Sequence, residues 1–159
     1  MSKKLVVYFS ASGVTEKLAK KLSQAIDADL YEIQPEQPYT TADRDWTNKS
    51  SRSTREMTDK SFRPAITGKV ENMGQYDTVY VGFPIWWYVA PTIINTFLES
   101  YDMAGKIVVP FATSGGSGMG RTNSELEISC KGAKLKEGNR FNANVKEAEL
   151  KAWADQNNV

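Results

Sequence analysis

KLVVYFSASGVTEKLAKKLSQAI, residues 4–26, changes its period halfway along. Lys4 to Phe9 is a short apolar run, and it stops at Ser10-Ala11-Ser12-Gly13. A run of that length with that boundary reads as a strand buried on both faces, the kind that parallel sheets contain. From Val14 onward apolar residues recur every four positions, at Val14, Leu18, Leu22 and Ile26, while Lys17, Lys20, Lys21 and Gln24 take the other side. The spacing predicts an amphipathic helix over 14–27.

The alternation continues outward from this pair. Residues 29–34 (DLYEIQ) read as a strand with one face less buried, and residues 77–83 (DTVYVGF) as a third strand. A helix follows over 91–101, opened by Pro91, with Ile94, Phe97, Leu98 and Tyr101 on one face. Residues 106–113 (KIVVPFAT) form a fourth strand. A helix over 120–129, a weak strand over 133–137 and a helix over 146–157, with Val145, Leu150 and Trp153, complete the chain. Strands alternating with helices imply an α/β fold, a parallel sheet with helices on both faces. Pro110 fits badly inside strand four, because proline gives no N–H to a ladder, so a bulge or a local gap is expected there.

A chain of 159 residues suits one domain over 1–159, with residues 35–66 as a polar insertion between strands two and three. The formal net charge is +1, so no nucleic acid and no membrane surface is expected as a partner. The absence of histidine excludes Ser-His-Asp and Cys-His chemistry and histidine metal sites, and no metal is expected. Cys130, the sole cysteine, reads as an ordinary small side chain. The N-terminus has no signal-peptide body, and the expected location is cytoplasmic.

In open α/β sheets ligands bind beyond the carboxyl ends of the strands. The loops after strands one, three and four are all unusual. Ser10-Ala11-Ser12-Gly13-Val14-Thr15 brings three hydroxyls, a glycine and free backbone N–H groups to a helix N-terminus, which is a phosphate cradle. The alternative is a plain helix cap. It has neither the GK[ST] ending of a Walker loop nor a G-x-G-x-x-G fingerprint. Residues 82–91 (GFPIWWYVAP) put three adjacent aromatics where a loop should be polar. Such a surface suits stacking on a planar ring system, or packing on a neighbouring helix or a second subunit, which leaves a homodimer open. Residues 113–120 (TSGGSGMG) hold four glycines in six positions and let backbone approach a flat ligand, unless they are only a flexible linker.

In this order and spacing, SASGVT, GFPIWWYVAP and PFATSGGSGMGR resemble the flavodoxin family, in particular its flavodoxin-like FMN oxidoreductase branch, over nearly the whole chain. The resemblance implies a flavodoxin-like three-layer sandwich with a five-stranded parallel sheet in the order 2-1-3-4-5, the family itself being a standard example of ligand binding at a switch point. It implies that Ser10, Ser12, Gly13 and Thr15, with Val14 in the same turn, hold the phosphate of FMN. It also implies that Pro84, Ile85, Trp86, Trp87 and Tyr88 flank the isoalloxazine on one side, and Ser114, Gly115, Gly116, Ser117 and Gly118 on the other. Two departures stand out. The family often has asparagine where this chain has Val14, and many members are strongly acidic.

Residues 35–66 exceed the ~12–15 residues beyond which structureless loops are uncommon. The segment carries Trp46, Arg44, Arg52, Arg55 and Arg63, and 45–60 reads as a helix with a thin apolar face. It would lid the flavin, bind an acidic substrate or nicotinamide phosphate, or simply cover the sheet edge. FMN carries the electron chemistry and no side chain is an obvious acid or base, so no catalytic residue is assigned. The leading expectation is an oxidoreductase that passes electrons from NAD(P)H to a quinone-like or other small-molecule acceptor. The alternatives are a flavodoxin-type carrier between redox protein partners and a non-catalytic FMN-binding or regulatory module.

Overall fold

The computed structural model describes residues 3–10, 13–37, 40, 51–59, 63–70, 72–85, 90–113, 122–142 and 144–157. Its centre is β1 (Lys3–Tyr8), whose residues from Leu5 onward are all buried. Such burial needs a layer on each side, and the side chains sort accordingly. Leu5, Val7 and Phe9 join one core, while Val6 and Tyr8 join the other, as strand alternation requires. β5 (Tyr76–Pro84) and β6 (Ile107–Thr113) divide the same way, with Val79, Val81, Phe83, Val108 and Ala112 on the first face and Tyr80, Val109 and Phe111 on the second.

Helices close both faces. α3 (Thr92–Glu99) and α4 (Thr122–Glu127) cover the first with Ile93, Ile94, Phe97, Leu98 and Leu126. α1 (Val14–Ile26) and α5 (Glu147–Asn157) cover the second with Leu18, Ala19, Leu22, Ile26, Leu150 and Ala154. The expected face of α1 needs one correction, because Val14 is 41% exposed and Thr15 is buried in its place. A spacing of four drifts by about 40° per step on a helix of 3.6 residues per turn. Two steps put Val14 about 80° from Leu22, at the edge of the buried face.

The sheet is parallel throughout, in the order β2-β1-β5-β6-β7, with β2 at Asp29–Glu32, β7 at Lys134–Leu135, and β8 (Asn139–Phe141) also paired to β6. This is the expected flavodoxin-like order, with the fifth strand split in two. The split answers the Pro110 question. The carbonyls of Lys106 and Val108 accept N–H groups from Lys134 and Lys136 on the β7 side, whereas that of Thr113 accepts from Ile85 on the β5 side. Backbone groups alternate along a strand, so the Pro110 nitrogen faces the interval between Leu135 and Asn139, where no ladder partner is paired. The expected gap is there, and the β5–β6 register runs through Val81 opposite Pro110 without a bulge.

Between β2 and β5 lies an antiparallel pair, β3 (Gln34–Pro35) with β4 (Ile66–Thr67), which the residue pattern did not predict. The helix expected over 45–60 is seen as α2 (Arg52–Thr58), started by Ser51, whose hydroxyl accepts the Thr54 N–H. Trp46 and Arg44 lie outside the described residues.

Candidate functional site

Three strands end side by side. The Phe9 N–H, just past β1, donates to the Gly82 carbonyl of β5 at 2.9 Å, and the Ile85 N–H, just past β5, donates to Thr113 at the end of β6 at 3.0 Å. The loops singled out above therefore leave from one line of carboxyl ends. Gly82 keeps this packing tight, since a Cβ there would land inside the Phe111 ring.

The first turn is built around Gly13. Its φ of 92° lies in the left-handed region, where glycine is unstrained, and its N–H donates to Ser10 Oγ at 3.0 Å. Its carbonyl then accepts the first helical bond, from Lys17 at 3.2 Å. Among the described residues no side chain caps α1. The N–H groups of Val14, Thr15 and Glu16 thus begin the helix without a side-chain acceptor among those residues, at the positive end of its dipole. Among the described residues nothing lies within 4 Å of where a Gly13 side chain would stand. These features fit an anionic oxygen group better than a plain cap, which would bring its own acceptor.

Thr15 is 2% exposed, and its hydroxyl is hydrogen-bonded to the Thr113 hydroxyl, itself in a residue 5% exposed, at 2.8 Å. Val14 faces out, and Pro84 and Ile85 are half-buried, Ile85 against the core on the α3 side. Ser12, Trp86, Trp87, Tyr88, Ser114, Gly115, Gly116, Ser117 and Gly118 lie outside the described residues. Beside the turn, the Tyr8 hydroxyl donates to Glu16 at 3.2 Å. Burial, with Glu32 and Glu16 nearby, pushes the Tyr8 phenol far above its ordinary range, so it stays a neutral donor.

Sequence reasoning did not assign Thr113 a role. The signal was a hydroxyl residue closing a strand just before a glycine-rich loop, but its bond to Thr15 spans 98 positions.

The arginines of the insertion divide. Arg52 pairs with the buried Glu56 at 2.8 Å and donates to the Gln37 carbonyl. Arg63 is clamped to both oxygens of Glu99 at 2.9 and 3.1 Å. Arg55 is exposed and has no side-chain partner among the described residues. The three line one concave surface with Glu36, Glu56 and Pro64. Cys130 is buried with its thiol on the Leu126 carbonyl at 3.4 Å, and burial raises its pKa, in keeping with a packing role. Among the described residues no acidic or cysteine cluster suits a metal ion, and no helix is long and apolar enough to cross a membrane.

A family model described as Flavodoxin matches residues 3–157. A candidate flavoprotein from Bacteroides eggerthii DSM 20697 is 51% identical and superposes with a TM-score of 0.93, over 100% of this chain and 99% of that one. A flavoprotein from Lactobacillus acidophilus NCFM, solved in complex with FMN, has the same fold at 24% identity and a TM-score of 0.75, over 97% of this chain and 99% of that one. An uncharacterized NAD(P)H oxidoreductase of Escherichia coli strain K12, YcaK, is 24% identical over 90 residues, which span 56% of this chain and 41% of the E. coli protein.

Proposed function

Because this chain belongs to the flavodoxin family, we propose that it binds FMN at the carboxyl ends of β1, β5 and β6 and is an oxidoreductase taking electrons from a nicotinamide nucleotide to a small quinone-like acceptor. One observation carries the cofactor reading: the start of α1 behind a left-handed Gly13, uncapped by any described side chain, with Ser10 turned onto it. The FMN complex of the Lactobacillus protein and the oxidoreductase name of the Escherichia coli protein support the reading from outside.

The residues divide the work. The N–H groups of Val14, Thr15 and Glu16 and the Ser10 hydroxyl bind the phosphate, where the helix dipole favours negative charge. In this reading the Pro84–Tyr88 and Ser114–Gly118 segments flank the ring, where a low dielectric would disfavour an added negative charge. FMN, when bound, supplies the hydride or single-electron chemistry. Tyr8, held neutral beside Glu16, adds no charge of its own to the turn.

The carrier reading stays in view for a specific reason. Arg52 and Arg63 are already paired, which leaves Arg55 as the described guanidinium of the insertion open to a nucleotide phosphate. Titration of the apo-protein with FMN, FAD and riboflavin tests the cofactor, with FMN expected to bind tightest, and FAD binding as tightly would sink it. Stopped-flow mixing of the FMN-loaded protein with NADH and NADPH tests the reaction. Direct reduction is expected from at least one nucleotide, whereas flat traces from both would leave the carrier.

A further inference from the structure

We propose that Thr113 is the positioning residue that couples the phosphate turn to the ends of β5 and β6, an inference that rests on the FMN reading of the site. Thr113 sits where three segments meet. Its hydroxyl bonds the Thr15 hydroxyl at 2.8 Å, its carbonyl accepts the Ile85 N–H at 3.0 Å, and its own chain runs into the glycine-rich segment. The first turn of α1 is thus tied to the end of β6, and the end of β6 to the exit of β5.

Both hydroxyls are nearly sealed from solvent, so water cannot replace either as a partner. A hydroxyl has one proton and two lone pairs. With Thr113 donating, Thr15 keeps its own proton for an anion at the start of α1, and the linked bonds strengthen one another. A residue at position 113 without a hydroxyl leaves Thr15 free to turn and loosens the turn from the sheet.

The test is a fluorescence titration of apo-protein with FMN and with riboflavin, which has the ring but not the phosphate. Thr113→Val should weaken FMN binding by about three- to tenfold, the range for one lost hydrogen bond, and leave riboflavin binding unchanged. Thr113→Ser should bind FMN like the wild type. In a Thr15→Val background, adding Thr113→Val should cost FMN nothing more. Thermal melts of the apo-proteins check folding, and Thr113→Ala carries the same expectation should Thr113→Val fail to fold. Equal losses for both ligands, a loss that persists without the Thr15 hydroxyl, or wild-type FMN affinity in Thr113→Val would overturn the proposal while the FMN reading stands. A wild-type protein with no affinity for FMN would sink both.

Discussion

Gly82 and Glu99 show two ways in which a single residue constrains this molecule. The backbone of Gly82 lies against the Phe111 ring with no room for a methyl group. Gly82→Ala should therefore destabilise the protein by about 1–3 kcal/mol through overpacking of a central strand, and Phe111→Leu should recover part of that loss. Urea unfolding of the two single variants and the double variant measures it, and additive losses would mean that the ring is not the obstacle. Glu99 works through charge. The hydrogen bond from Arg63 holds its carboxyl below the ordinary value of 4.5, opposed by burial and aided by Ser129. A depressed folded value means stabilisation that is complete above the unfolded value and fades as pH falls through the folded one. Glu99→Gln should thus lower stability at pH 7, by no more than about 1 kcal/mol for so exposed a pair, and make no difference at a pH below the folded value. A gap between the two proteins that did not narrow as the pH falls would show that the cost is not electrostatic.

At the scale of an element, α1 joins the sheet to the proposed cofactor site, and Gly13 is where the two meet. Its left-handed φ with open space above separates backbone strain from steric clash. Gly13→Ala meets no atom yet should cost about 1–2 kcal/mol in the folded protein, because a Cβ disfavours that conformation. If the turn relaxes to relieve the strain, FMN affinity should fall while riboflavin affinity holds. Calorimetry with both flavins reads this out, and unchanged FMN binding would argue that the turn does not present the phosphate site. α2 tells a different story. Its Arg52–Glu56 pair and Ser51 cap stabilise the helix internally, so Arg52, which read as available chemistry, belongs to the architecture.

For the whole molecule, the question is what the FMN-loaded protein exchanges electrons with. The net charge of +1 supplies no long-range field to steer a basic protein partner. Within the oxidoreductase reading, Arg55→Ala should slow reduction by NADPH several-fold while leaving NADH and FMN untouched, since a guanidinium contributes to a nucleotide phosphate through charge-assisted hydrogen bonds. Arg52→Ala should instead lower stability, because it removes an ion pair from the buried Glu56. Stopped-flow traces and melting curves of the two variants distinguish these roles, and equal effects of both substitutions on NADPH would remove the distinction.

Much of the fold was legible because its signals are local. A run such as LVVYF announces burial on both faces whatever its neighbours are, and the switch to helical spacing at Val14 lies in consecutive residues. Proline in β6 announced a missing ladder bond in the same way, and the gap between β7 and β8 receives it. From residue types and order alone came the parallel α/β alternation, the strand order through its family resemblance, and the three loops that gather at one end of the sheet. Only the tertiary structure decided what depends on packing: the pairing of β3 with β4, the turning outward of Val14, the commitment of Arg63 to Glu99, and the meeting of Thr15 with Thr113. A hydroxyl or a guanidinium looks the same in sequence whether it is free or satisfied. For Arg63 and Thr15 that depends on a side chain tens of residues away, brought to hydrogen-bonding distance only by the packing of strands against helices.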